Sequence, residues 1–136
     1  MNFYETLLEY RNRMPVARSQ NIRTVELREG YARGVMTISE DQQNLIGSVH
    51  GGILMTFADT IGGSAAYSYG EYATTLSCSV NFLNAALDAK RLFAEAIVEK
   101  RGRKTMVIRV VITDETEKKL LVSSFTFFNM EKKIAF

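Results

Sequence analysis

The sequence predicts an α+β protein in which an antiparallel β-sheet wraps around one long central α-helix. Three observations carry this prediction. Residues 51–67 form an apolar run that is too long for a single strand. Two β-rich runs precede it and four follow it, separated by short connections. Because the long helix is apolar over much of its circumference, a sheet that surrounds it is a satisfactory way to bury it.

The first third of the chain predicts a short helix and a hairpin. Residues 2–13 carry apolar side chains at near-helical spacing and stop before Pro15, which is typical of a short amphipathic helix. Ile22–Arg28 and Tyr31–Ile38 are rich in β-branched residues and flank a turn glycine, Gly30. A polar loop then leads to the long helix.

The remainder of the chain predicts the long helix, closed by Gly70, and four more strands. Gly51, Gly62 and Gly63 each lower helix propensity by about 1 kcal/mol, which indicates close packing or access to the backbone at those positions. The predicted strands are Thr74–Leu83, Arg91–Arg101, Lys104–Thr113 and Lys119–Asn129.

Composition narrows the function classes. A length of 136 residues predicts one domain, 1–136, and a net charge of +2 with scattered basic residues does not favour a nucleic-acid binder. The single cysteine, Cys78, excludes an internal disulfide framework, and together with the single histidine, His50, it makes a metal site unexpected. We expect no signal peptide and no membrane span, and hence a cytoplasmic protein.

One charged residue stands out in the helical region. Asp59 is the only charged residue between Gln42 and Gly70, in a chain that is 24% charged overall. Such a carboxylate is costly to bury unless it is hydrogen-bonded or functional. At 100° per residue Asp59 lies opposite the apolar stripe, on a face of small uncharged residues that we interpret as the wall of an interface or channel. That face comprises Gly52, Met55, Gly62, Gly63 and Ala66. The alternative is that Asp59 caps or pairs with an arginine.

The start of the long helix carries two glycines, Gly51 and Gly52. The first N–H groups of a helix lack internal partners and lie at the positive end of its dipole. Because glycine has no Cβ, a substrate carbonyl can approach these N–H groups. This segment is therefore a candidate oxyanion hole, although tight packing explains the glycines equally well.

Gly51 and Asp59 are about 12 Å apart along one helix. If both act on one carbonyl, Asp59 comes from a second subunit of a two-fold dimer.

The order Asn44-x-x-Gly47-x-x-His50-Gly51-Gly52, followed by Asp59, resembles the hot-dog-fold thioesterases of the phenylacetic-acid-degradation type, which are related to 4-hydroxybenzoyl-CoA thioesterase. The resemblance extends through Thr74–Leu83 and residues 98–104, and covers nearly the whole chain from about Arg28. It departs from the family at Asn84-Ala85, where relatives often carry Arg-Pro or Ser-Pro.

The resemblance implies a hot-dog fold and hydrolysis of an acyl-CoA thioester, with coenzyme A as part of the substrate and no separate cofactor. By it, the Gly51 N–H polarises the thioester carbonyl, and Asp59 of the partner subunit acts as nucleophile or general base. Asn44 holds the water or orients the thioester, and His50 supports the loop through its hydrogen bonds. Thr75 positions the attacking water or is an ordinary strand threonine. Homodimers commonly pair into tetramers in this family.

Two further groups of residues have predicted roles, the basic turn and the aromatic residues of the late strands. Arg101, Arg103 and Lys104 form a basic turn that either meets the phosphates of coenzyme A or is simply solvated. The aromatic residues of the late strands are expected in the core rather than in an acyl pocket; they are Phe82, Phe125, Phe127 and Phe128.

Two other functions remain open from the sequence. One is a non-catalytic acyl-CoA-binding module on the same fold, and the other is a hot-dog dehydratase or hydratase that uses His50. The sequence does not specify the acyl group, aromatic or medium-chain, nor does it distinguish a dimer from a tetramer.

Overall fold

A computed structural model describes all 136 residues and confirms the antiparallel sheet around a central helix. Neighbouring strands follow the order β1-β2-β4-β5-β6-β3, and every pair is antiparallel. In chain order the elements are α1 (Phe3–Asn12), α2 (Pro15–Ser19), β1 (Ile22–Arg28), β2 (Tyr31–Thr37), a 3₁₀ turn (Glu40–Gln42), α3 (Gly51–Tyr67), β3 (Glu71–Phe82), β4 (Arg91–Arg101), β5 (Thr105–Thr113) and β6 (Lys119–Lys133).

The N-terminal segment contains one helix more than predicted. Helix α1 begins with a capping box, in which the Asn2 side chain accepts from the Glu5 N–H at 2.9 Å and the Glu5 carboxylate accepts from the Asn2 N–H at 3.3 Å. Pro15 ends the predicted helix but also starts α2, because the first position of a helix needs no N–H donor. No helix of the protein is both long and apolar enough to cross a membrane.

Strands β3 and β6 are longer than the sequence predicts. They pair from Glu71 opposite Lys133 to Phe82 opposite Leu121, whereas the sequence places the start of β3 at Thr74 and the end of β6 at Asn129. The added ends are polar, so the alternation that indicates a half-buried strand fades there. Helix α3 carries the chain from β2 across the sheet, and this crossing leaves β3 at the far edge.

Helix α3 lies against one face of the sheet and fills the core. Its stripe residues Leu54, Phe57 and Ile61 are buried, as are the sheet residues that line the core, among them Ile108 and Phe125. Burial of this apolar surface is the main stabilising contribution to the fold.

The face of α3 opposite the apolar stripe was predicted to be the wall of an interface or channel, and half of its length is not. Gly62 and Gly63 are buried inside the chain, because a Cβ at Gly62 would lie 3.3 Å from Val110 and one at Gly63 would lie 3.0 Å from the guanidinium of Arg11. Ala66 is buried as well. The prediction of an interface or channel wall is therefore wrong for these three residues, and only the N-terminal half of that face, with Gly52, is open to solvent.

The two edges of the sheet are treated differently. At the β1 edge the Asn12 amide donates to the Thr24 carbonyl at 2.9 Å, and the Thr24 N–H donates to the Asn12 side chain at 2.7 Å. At the β3 edge nothing pairs on the open side, and residues 74–79 are exposed, including Leu76 at 57%. A long unpaired edge strand is a template for pairing with another chain.

Candidate active site

The first turn of α3 presents unused backbone donors. The His50 carbonyl accepts from the N–H groups of Ile53 and Leu54 at 3.0 and 3.1 Å, whereas the N–H groups of Gly51 and Gly52 donate to no protein atom. Space around Gly52 is open, and a Cβ at Gly51 would lie 3.3 Å from the ring of Phe82. The helix start therefore has the free donors that an oxyanion hole requires.

Asn44 is fixed beside this helix start by a tight loop. Its side-chain oxygen accepts from the N–H groups of Ile46 and Ser48, both at 3.1 Å, and its own N–H donates to the Ser48 carbonyl at 2.7 Å. Gly47 adopts a positive φ of 79° that favours glycine. The Asn44 side-chain NH₂ has no partner within the chain, so it is the half of the amide that is available to a ligand.

Asn44 and Gly51 line one pocket of about 340 Å³. The remaining wall is largely apolar and includes Leu54, Phe82 and Leu83. Phe82 is 51% exposed, so its predicted place in the core is wrong. Phe125 and Phe127 are buried and Phe128 partly so. The exposure of Phe82 was not predicted because the residue lies at the end of the edge strand β3, where no second layer of side chains covers it.

The pocket wall also explains the departure at Asn84-Ala85. Both residues line the pocket, and the Asn84 side chain donates to the Lys119 carbonyl at 2.8 Å. This hydrogen bond ties the end of β3 to the start of β6, so the loop remains anchored without the proline of the relatives.

His50 supports the loop through its main chain rather than its ring. Its N–H donates to the Gln42 carbonyl at 2.9 Å, and its carbonyl starts α3. The residue is exposed, and its imidazole makes no hydrogen bond within the chain. A histidine that acts as a general base is normally oriented by a second group, and nothing in the chain orients this one.

Asp59 lies on α3 two turns beyond the glycines and is half-buried. Its Oδ1 accepts a hydrogen bond of 2.5 Å from the hydroxyl of Thr75 on β3, while Oδ2 has no partner. None of the four ion pairs of the chain involves Asp59, so the alternative in which it pairs with an arginine is not observed. Thr75 is the one side chain that holds this carboxylate.

The predicted residues thus form two groups rather than one. Asn44 and Gly51 share a pocket whose wall does not include Asp59 or Thr75. The separation follows from the helix, in which eight residues span about 12 Å. Within one chain, the backbone donors and the carboxylate do not converge on a single carbonyl.

The basic turn between β4 and β5 lines a polar cleft of about 740 Å³. Lys104 pairs with Glu131 at 2.6 Å, the Arg101 guanidinium lies 4.1 Å from the centre of the Tyr69 ring, and Arg103 makes no ion pair. The structure therefore brings the three predicted residues together. It also places two carboxylates in the same cleft, Glu71 of β3 and Glu131 of β6, which the sequence did not predict.

Arg11 on α1 was not singled out from the sequence, yet it contacts the turn of α3 that carries Asp59. Its Nη2 donates to the Thr60 carbonyl at 2.8 Å and its Nε to the Ser64 hydroxyl at 3.0 Å. Desolvation lowers the pKa of Arg11, and Tyr67, Asp59 and Tyr10 act in the opposite direction.

The fold, the free backbone donors at a helix start and the lone carboxylate define a hot-dog-fold thioester hydrolase. The chain belongs to the thioesterase superfamily, whose family model matches residues 46–121, more than half of its length. The matched segment includes Gly51, Asp59 and Thr75.

Individual relatives support the same family assignment. The acyl-coenzyme A thioesterase PaaI of Escherichia coli K12 is 31% identical over 102 residues, which cover 75% of this chain and 73% of that protein. The structure of the E. coli PaaI protein from the phenylacetic acid degradation operon superposes with a TM-score of 0.91 at 25% identity, covering 97% of this chain and 96% of that one.

A structure of a hypothetical thioesterase of Streptococcus pneumoniae TIGR4 with coenzyme A superposes with a TM-score of 0.82 at 30% identity, covering 88% of this chain and 94% of that one. The same streptococcal protein has also been solved with alanine in place of one aspartate and, separately, of a threonine 16 positions later.

Proposed function

We propose that this protein hydrolyses an aromatic or medium-chain acyl-CoA, at sites built from Gly51 of one subunit and Asp59 of a second copy. The observation that carries the proposal is the pairing of two free backbone N–H groups at the start of α3 with a carboxylate that its own chain keeps away from them. A two-fold dimer with antiparallel α3 helices brings both groups to one carbonyl, twice per dimer.

The chemistry follows from the free atoms. The thioester oxygen accepts from the Gly51 N–H, where the helix dipole stabilises the negative charge that develops on it. Asn44 orients the thioester or the water through its free NH₂. Asp59 then acts through Oδ2, because Thr75 occupies Oδ1.

Two routes lead to the same products. As a nucleophile, Oδ2 bonds to the carbonyl carbon, the C–S bond breaks, and coenzyme A leaves as a thiolate before water cleaves the anhydride. As a general base, Oδ2 takes a proton from water while the water oxygen bonds to the carbon; the C–S bond then breaks, and the departing thiolate of coenzyme A takes the proton from Asp59. Both require an ionised Asp59 and release one free thiol for each acid formed.

The spacing of Asp59 and Thr75 gives further support. They are 16 residues apart, the separation of the aspartate and threonine that were replaced in the streptococcal thioesterase. That protein has been solved with coenzyme A, which supports an acyl-CoA substrate for this chain as well. We assign the phosphates of coenzyme A to the cleft of Arg101, Arg103 and Lys104, whose free guanidinium at Arg103 suits an anionic group.

Two complementary variants test the shared site. Asp59→Asn removes the carboxylate, and Gly51→Pro removes the N–H while adding a Cβ about 3.3 Å from the Phe82 ring. Proline is tolerated at the first position of a helix, and the preceding His50 has φ −55° and ψ 136°, a conformation that precedes proline readily. Each variant alone is expected to lose roughly 10²–10⁴-fold in turnover, measured as thiol release from a panel of acyl-CoAs. Asp41→Asn, in an exposed turn, is the matched control.

Mixing the two inactive variants then distinguishes a shared site from an internal one. A heterodimer of Asp59→Asn and Gly51→Pro subunits has one doubly damaged site and one intact site. Random reassociation should restore about a quarter of wild-type activity. If the refolded mixture stays as inactive as its components, the two groups belong to one chain and the proposed site is wrong.

A further inference from the structure

A half-buried cation on α1, Arg11, contacts the segment of α3 that holds Asp59. Arg11 donates to the main-chain carbonyl of Thr60, the residue after Asp59, at 2.8 Å and to the Ser64 hydroxyl, one turn further on, at 3.0 Å. The Ser64 hydroxyl is in turn 2.9 Å from the Thr24 hydroxyl on β1. Arg11 therefore links α1, α3 and β1 at the level of the carboxylate.

The helix has a space shaped for this side chain. A Cβ at Gly63 would lie 3.0 Å from Nη2 of Arg11, closer than a side chain could sit without displacing the guanidinium. The guanidinium also lies 4.7 Å from the centre of the Tyr67 ring, on the next turn. Gly63 thus lets the guanidinium lie against α3 without a Cβ in tight contact with Nη2.

Arg11 carries a charge that no carboxylate contacts. It takes part in none of the four ion pairs, although desolvation is strong enough to lower its pKa. Asp59 is the only charged residue of α3, and it is the only carboxylate among the groups that influence Arg11. The link between Arg11 and Asp59 is therefore the main chain of Thr60, which belongs to the turn that carries the carboxylate.

We propose that Arg11 is a positioning residue for Asp59, because its hydrogen bonds to Thr60 and Ser64 hold the turn of α3 that carries the carboxylate. This inference rests on the proposed role of Asp59 as nucleophile or base. It extends the site beyond the segment 46–121 shared with the thioesterase superfamily, because α1 lies outside that segment.

The test compares Arg11→Met, which keeps much of the apolar volume, with Arg11→Lys, which keeps the charge. Arg13→Met, at the exposed end of α1, is the matched control. In Arg11→Met we expect kcat at pH 7 to fall by about tenfold with KM little changed, because the carboxylate is less well placed. Arg11→Lys, whose ammonium group can still donate to the Thr60 carbonyl, should recover most of that loss.

A second variant covers the case in which Arg11→Met does not fold. Gly63→Ala places a Cβ 3.0 Å from Nη2 of Arg11 and so shifts the guanidinium slightly against Thr60 while keeping every charge. Its kcat should fall, by less than in Arg11→Met, with KM little changed. A wild-type kcat in Arg11→Met, or in Gly63→Ala if only that variant folds, overturns the inference. That result is separable from failure of the proposed function, in which the wild-type protein releases no thiol or Asp59→Asn keeps its turnover.

Discussion

The two edge strands of the sheet, β1 and β3, differ in whether the chain itself covers their open side. Strand β1 is short, is bordered by α1 and α2, and has backbone groups of Thr24 satisfied by the Asn12 amide. Strand β3 is twelve residues long, is exposed over 74–79, and carries the hydroxyl that holds Asp59. The chain thus covers the edge that holds no residue of the proposed site. The edge beside Asp59 is left open, as the proposed dimer requires.

The largest effect is expected from charging the open edge. Ser77 and Ser79 are exposed and pair with Thr126 and Ser124, on the sheet face away from α3. Ser77→Lys/Ser79→Lys should therefore leave the subunit folded but repel a second β3, since lysines on an edge oppose strand pairing. We expect a monomer by light scattering, with turnover reduced by at least roughly 10²-fold because each site loses one of its two halves.

The control for this pair places the same charges one strand inward, as Ser124→Lys/Thr126→Lys on β6. That variant should keep its assembly and most of its activity. A β3 variant that is monomeric and fully active would show that the site is complete in one chain.

A smaller effect is expected from the hydroxyl that β3 contributes. Thr75→Val keeps the branched shape suited to a strand but removes the 2.5 Å hydrogen bond to Asp59 Oδ1. The carboxylate then loses its fixed orientation, and kcat should fall about tenfold with little change in KM. Steady-state kinetics against Thr74→Val, an exposed neighbour on the opposite face, isolates the effect. Equal kinetics for the two variants would make Thr75 an ordinary strand threonine.

The smallest effect on activity is expected at the closed edge. Asn12→Ala leaves the N–H and carbonyl of Thr24 without their side-chain partners, which should lower the free energy of unfolding by roughly 1–3 kcal/mol. Chemical denaturation at fixed protein concentration, with Arg13→Ala as control, measures this loss. Assembly and kcat should stay as in the wild type. A change of oligomeric state would mean that the β1 edge also takes part in subunit contact.

The fold was largely predictable because its strands are half-buried and its central helix is mostly buried. Alternation in β5 and the long apolar run of α3 are local patterns that survive in the sequence. The five residues of α2 are too few to show a period. The added ends of β3 and β6 lack this alternation, since residues 130–133 are exposed throughout and Glu71 and Tyr72 are both partly buried.

The site was predictable where chemistry leaves a local mark. Asp59 is visible as a single charge in an uncharged segment, and Gly51 as a glycine at a helix start. Arg11 left no such mark, because its partners Thr60 and Ser64 lie far along the chain and are joined to it only by the packing of α1 on α3. The two carboxylates beside the basic turn, Glu71 and Glu131, were not predicted for the same reason, since they lie on β3 and β6, far from the turn in sequence.

The position of β3 in the sheet also governs when catalysis can first appear. Its only neighbour within the chain is β6, the last strand in chain order, with Ala73 opposite Asn129 and Phe82 opposite Leu121. Pairing across so many residues requires closing a long loop, which makes it a slow step in folding. A chain emerging from the ribosome therefore cannot dock Thr75 onto Asp59 until translation has passed β6. No shortened product that lacks this strand should carry a working carboxylate.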